Sequence, residues 1–174
     1  PVELSTVTRT LTVITRDHGR EAQYVQNVLA ELDLYLRAVP GLAGRPVRQL
    51  HLGGGTPTFL SLDSLAALID GLRARLPVRA KRFEGSVEVD PRVTTPAQLA
   101  LMRTRGLTRL SMGVQDVDPE VQHLVNRQQP VAVTAALCES ARQLGYGSIN
   151  FDLIYGLPGQ TPASMDRLAE TVIG

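Results

Sequence analysis

The stretch VRQLHLGGGTPTFLSLDSLAALIDGLRARL, residues 47–76, decides the fold class. Val47 to Leu52 reads as a short strand running into Gly53-Gly54-Gly55, and Ser61 to Leu76 reads as an amphipathic helix. Together they make one strand-loop-helix unit, and the unit returns downstream. Strands are expected at Phe83 to Val89, Leu107 to Met112 and Ser148 to Ile154, with helices from Pro96, within Pro119 to Leu144, and from Pro162. Upstream, Ala22, Val25, Val28, Leu29, Leu32 and Leu36 recur at three- and four-residue steps, predicting a helix from Arg20 to about Val39 that Pro40 and Gly41 end. Thr95-Pro96, Asp118-Pro119 and Thr161-Pro162 each place an oxygen-bearing cap before a proline suited to the first helical position. Strands alternating with helices at this spacing imply parallel pairing through right-handed crossovers, so the class is α/β. Local pattern does not separate an open doubly wound sheet from a barrel, because both use the same unit.

Composition narrows the function. The 174 residues fit a single domain, and a hydrophobic share of 43% is enough for one core. With 18 basic and 17 acidic residues, the net charge of +1 gives no field suited to a nucleic-acid partner, and the tyrosines form no stacking stripe. Apolar runs are short and interrupted, and the first residues lack a basic and an apolar leader region, so no membrane association and a cytoplasmic location are expected. The single cysteine excludes internal disulfides and thiolate-built metal sites. Cys138 itself, beside Ala135, Ala136 and Leu137, reads as a small buried hydrophobe. His18, His51 and His123 have no metal-ligand spacing and read as surface or structural residues.

Polar residues collect where strands should end. Gly53, Gly54, Gly55 and Thr56 follow the first strand of the opening unit; their amides could meet a ligand, although a tight turn accounts for the glycines too. No lysine follows to make a phosphate-gripping loop. Glu88, Gln115 and Asp152 sit at three successive strand ends where burial is expected, and a buried carboxylate needs a partner or a ligand. Any one of them could be a structural tie; together they favour a shared pocket on the C-terminal face. Arg127, taken alone, reads as a solvated arginine.

Read as phrases, VITR (13–16), HLGGGTPTFL (51–60), VEVDPR (87–92), LSMGVQD (110–116), VNRQQP (125–130) and INFDLIYGLPGQTP (149–162) match one family in order and spacing. The chain resembles the radical S-adenosylmethionine enzymes, and within them the oxygen-independent coproporphyrinogen III oxidases of haem biosynthesis. The resemblance implies a partial parallel barrel, truncated at both ends, forming one domain over 1–174, with a residual cluster-loop region at 1–16 and strand-helix repeats over 17–174. The C-terminal part of the parent protein is expected to be absent. It also implies S-adenosylmethionine across the strand ends: Gly54, Gly55 and Thr56 at its amino and carboxylate end, Glu88, Gln115, Arg127 and Asp152 at its methionine and ribose portions, and Ile154 against the adenine. No residue is assigned a catalytic role. The parent family works on a tetrapyrrole, decarboxylating two propionates through a 5′-deoxyadenosyl radical, and takes electrons from a donor.

The departure is at the cluster. The family carries C-x3-C-x2-C-x-C just before its VITR-like segment, and three of those thiolates hold a four-iron, four-sulfur cluster. Here the slots fall at Pro1, Ser5, Thr8 and Thr10, and hydroxyls are hard, protonated substitutes for soft thiolates. The expectation is therefore a chain without the cluster and without radical chemistry. The alternative is a cluster-free homologue that binds S-adenosylmethionine or a tetrapyrrole, and a third reading is an unrelated α/β barrel enzyme using Glu88 or Asp152 as a base.

Overall fold

The computed structural model describes residues 18–39, 41–42, 44–77 and 83–173. Helix α1 spans Glu21–Ala38 and strand β1 Gln49–Leu52. Then come α2 (Leu62–Arg75), β2 (Glu84–Val89), α3 (Pro96–Thr104), β3 (Leu107–Gln115), α4 (Pro119–Leu124), α5 (Val131–Gln143), β4 (Ser148–Leu153) and α6 (Pro162–Ile173). A short 3-10 turn, Pro57–Phe59, lies between β1 and α2.

All strand pairs are parallel, and the sheet order is β1-β2-β3-β4, the order of the chain itself. That settles what local pattern left open. A doubly wound sheet reverses direction partway so that helices cover both faces. A chain that steps always to the next position with right-handed crossovers keeps its helices on one side, as in a barrel wall. Burial agrees: along β2, Gly85, Val87 and Val89 are buried while Glu84, Ser86 and Glu88 are not. The apolar face packs on the helices through Leu65, Ile69, Val87, Leu99, Met102 and Leu110, all essentially inaccessible to solvent. Cys138 joins the same core, and Tyr146 ends in it with its hydroxyl donating to the Leu99 carbonyl at 2.8 Å.

The helix starts follow from their caps. Thr95 and Gln98 form a reciprocal capping box, Asp118 accepts from the Glu120 amide at 2.9 Å, and Thr161 accepts from the Ser164 amide at 3.1 Å. Strand β3 differs from its expected end at Met112, continuing to Gln115. A register shift between Gly113 and Gln115 lets that added length pair with Asp152 and Leu153 of β4. Among the described residues, no helix is long and apolar enough to cross a membrane.

Candidate functional site

The C-terminal ends of the four strands bring the expected residues to one end of the sheet, on its polar face. Gly53 to Thr56 leave β1 as an exposed tip, with Gly54 at a φ of +83° that glycine adopts without strain. The Gly54 amide donates to Glu88 Oε2 at 3.0 Å, and Glu88 Oε1 lies 3.3 Å from His51 Nε2. A Cβ on Gly53 would fall 2.4 Å from His51 Nε2 and 2.8 Å from the Glu88 carboxyl carbon, so this approach requires glycine. Gly55 and Thr56 are exposed beside this cluster, and the Thr56 carbonyl starts the 3-10 turn by accepting from the Phe59 amide at 2.9 Å.

Over β3 the chain draws Arg127 inward. Its terminal nitrogen donates to the Gly113 carbonyl at 3.1 Å and stands 3.4 Å from Asp90, while its Nε is buried without a hydrogen-bond partner. Burial pushes the guanidinium pKa below its ordinary value; Asp90 opposes that shift and Arg92 adds to it. Asp90 is itself clamped by Arg92, and although burial would raise its carboxyl, hydrogen bonds from Arg92 and the charges of both arginines hold it below the usual range. Gln115 ends β3 at a φ of +67°, and its carbonyl accepts from the Ile154 amide at 3.0 Å. A Cβ on Gly113 would lie 3.0 Å from Gln115 Nε2 and 3.2 Å from Arg127, placing these two side chains together over that glycine. On β4, both Asp152 oxygens accept from Ser111 Oγ, at 2.8 and 2.9 Å, and Ile154 stands partly exposed just beyond the strand.

Two expectations are corrected by this geometry. Glu88, Gln115 and Asp152 are not buried: Gln115 is half-buried, Glu88 keeps 42% of its side chain accessible and Asp152 is exposed, the two carboxylates because they lie on the sheet face opposite the helices. Arg127, read alone as a solvated arginine, is instead 22% accessible and held over β3. Pro1, Ser5, Thr8 and Thr10 lie outside the described residues.

Sequence reasoning missed the side chains that fix these loops. Gln98 donates to the carbonyls of Thr58 and Leu60 at 2.8 and 2.9 Å, pinning the far end of the glycine loop, while Thr58 and Thr94 share a hydrogen bond of 2.7 Å. Gln122 donates to the carbonyls of Asp116 and Gln129, both at 2.8 Å, and accepts from the Gln129 amide at 2.8 Å. Gln160 accepts from the Leu157 amide and donates to the Ile154 carbonyl, both at 2.8 Å, and also reaches Asp116. Glu21, at the start of α1, takes the amide and hydroxyl of Ser61 at 2.9 and 2.6 Å, with His18 on its other oxygen. These residues carry no periodic signal.

Comparisons with known proteins give the family to which this sheet and its loops belong. Residues 18–172 match the model of the Radical SAM superfamily. The chain is 44% identical over 162 residues to the oxygen-independent coproporphyrinogen III oxidases of Pseudomonas aeruginosa and Escherichia coli, and 40% identical over 161 residues to that of Helicobacter pylori. These alignments cover 92%, 91% and 92% of this chain but only 35% of each relative, so the chain spans about a third of their length. The solved coproporphyrinogen III oxidase of E. coli, described as a Radical SAM enzyme, superposes with a TM-score of 0.84 at 43% identity, covering 92% of this chain and 36% of that one. The archaeal Elp3 of Methanocaldococcus infernus shares the fold alone, with a TM-score of 0.56 at 17% identity over 88% of this chain and 40% of its own. Family model, relatives and superposed fold agree: the chain belongs to the radical S-adenosylmethionine superfamily, and within it is similar to the oxygen-independent coproporphyrinogen III oxidases.

Proposed function

We propose that this chain holds S-adenosylmethionine across the C-terminal ends of β1 to β4, as the central segment of a protein of the oxygen-independent coproporphyrinogen III oxidase type. The observation that carries this reading is the buried, unpartnered Nε of Arg127, a donor that a ligand carboxylate would satisfy. Gly54, Gly55 and Thr56 offer exposed backbone to the amino and carboxylate end of the cofactor. Glu88, Gln115, Arg127 and Asp152 meet its methionine and ribose portions, and the partly exposed Ile154 packs on the adenine. Accessible carboxylates on the polar sheet face suit a ligand that carries an ammonium and a sulfonium.

The cofactor supplies a radical in this superfamily only beside a cluster held by three thiolates, and here the donor set does not fit. One cysteine in the whole sequence, buried on α5, cannot provide them. The chain therefore binds the cofactor and does not cleave it reductively. In the parent protein the pocket would serve a tetrapyrrole substrate and an electron donor, in the cytoplasm and without nucleic acid. The single cysteine favours a second reading as well: a cluster-free relative that retains S-adenosylmethionine or tetrapyrrole binding as its whole task.

Calorimetric titration with S-adenosylmethionine tests the pocket. Saturable binding is expected, weakened by Glu88→Ala and by Asp152→Ala; unchanged binding in both variants counts against their roles. Anaerobic reconstitution with iron and sulfide tests the inactive half. Stoichiometric iron together with 5′-deoxyadenosine under strong reductant would overturn it. Conversion of coproporphyrinogen III by the full-length protein would count against both readings, since neither provides a cluster.

A further inference from the structure

His51 has no role in the readings above, yet it touches the one carboxylate that closes the β1–β2 side of the site. The parallel register sets His51 opposite Ser86, with Glu88 two residues further on the same sheet face. Its Nδ1 lies 2.8 Å from Ser86 Oγ and its Nε2 lies 3.3 Å from Glu88 Oε1, while the other Glu88 oxygen takes the Gly54 amide at 3.0 Å. Packing does not fix this pair, since His51 is 53% and Glu88 42% accessible. A glutamate on a polar face has three free torsions, so its orientation must come from the groups that donate to it. A carboxylate only accepts; Nε2 therefore carries the proton, and in that tautomer Nδ1 accepts a hydrogen bond from the Ser86 hydroxyl. Gly53 permits the arrangement, because any Cβ there would meet both side chains.

We propose that His51 is a positioning residue: it holds the Glu88 carboxylate against the Gly54 amide, in the orientation the cofactor site needs. What Glu88 does there rests on the function proposed above. The plainer role for His51 would be to brace β1 against β2 through Ser86, and two isosteres divide the roles. Gln at this position returns a donor near the place of Nε2 and gives up the Ser86 contact. Asn returns a group near Nδ1 and gives up Glu88.

The test compares the wild-type chain with His51→Gln, His51→Asn, His51→Ala and Ser86→Ala. The Gly54 amide is followed by NMR, through its proton shift and hydrogen-exchange rate, and S-adenosylmethionine affinity by calorimetry, with melting curves to verify folding. His51→Asn and His51→Ala are expected to speed Gly54 exchange and weaken the affinity each by about tenfold, the worth of one charge-assisted hydrogen bond. His51→Gln and Ser86→Ala are expected to stay within about threefold of wild type, a change of well under one such bond. A wild-type-like Gly54 in His51→Asn, or a loss in Ser86→Ala equal to that in His51→Ala, would overturn the proposal. If the Gly54 pattern holds but no protein, wild type included, binds S-adenosylmethionine, then the cofactor reading falls and the positioning of Glu88 stands.

Discussion

The loops that follow β1 and β3 both carry site residues off the same end of the sheet, and each is fastened by the amide of one glutamine from a following helix. They differ in where the fastening sits. Gln98 grips the glycine loop at Thr58 and Leu60, beyond its exposed tip, so Gly53 to Thr56 stand in solvent, tied back to the sheet by the Gly54 contact to Glu88. Gln122 grips the β3 loop on both sides of Arg127, at Asp116 and Gln129, each of which is 2% accessible. In the first loop binding and stability are carried by different residues. In the second they are carried by the same ones, because the arginine proposed to face the ligand rides on a buried polar network.

The largest effect should therefore come from the second loop. Gln122→Ala strands two carbonyls and an amide in a buried place, and each unsatisfied group costs about 1–3 kcal/mol. Urea unfolding should show a loss of about 3 kcal/mol or more, with S-adenosylmethionine affinity falling alongside as Arg127 is released. Gln98→Ala removes a comparable set of bonds, including half of the capping box, and should cost about 2–3 kcal/mol. Its effect on affinity should be smaller, since the tip lies beyond the grip. Equal losses of affinity in the two variants would erase the distinction between the loops.

Between these and the tip lies Glu21, which ties the exit of the glycine loop to α1 through Ser61. Burial would raise its carboxyl, but hydrogen bonds from Ser61 and His18 outweigh that and hold it at about 2, against 4.5 for the free group. A folded value below the unfolded one means the stabilisation is complete above about pH 5 and is lost as the pH falls through 4.5 toward 2. Unfolding free energy should drop across that window in the wild type and stay flatter in Glu21→Gln. Superimposable pH profiles would remove Glu21 as the anchor of the loop's exit.

The fold was far more legible in the sequence than the fastening of the site. Four strand-loop-helix units, and the starts of α3, α4 and α6, follow from periodicity and from Thr-Pro or Asp-Pro caps, which act over a few residues. Barrel against doubly wound sheet did not follow, because strand order depends on pairings such as Arg109 with Ser148 that no local window contains. Glu88 and Asp152 were recognisable as polar residues at strand ends, yet their exposure was not, since that depends on which sheet face the helices take. Gln98, Gln122 and Gln160 left no signal beyond an unremarkable side chain in a loop or helix. A glutamine amide supplies a donor and an acceptor at once, and what it joins is decided only when distant backbone arrives.

The smallest change in stability belongs at the tip, where Gly53→Ala isolates binding from folding. The added Cβ would lie 2.4 Å from His51 Nε2 and 2.8 Å from the Glu88 carboxyl carbon, closer than either can remain. Both obstacles are ends of side chains on an accessible face, so they can swing into solvent, and the unfolding free energy should change by less than about 1 kcal/mol. Their displacement nonetheless breaks the Glu88 contact with Gly54, and affinity for S-adenosylmethionine should fall by about tenfold. A Gly53→Ala chain that loses several kcal/mol of stability would place the tip in the same class as the Gln122 network. One that keeps full affinity would mean that the orientation of Glu88 is not what the ligand reads.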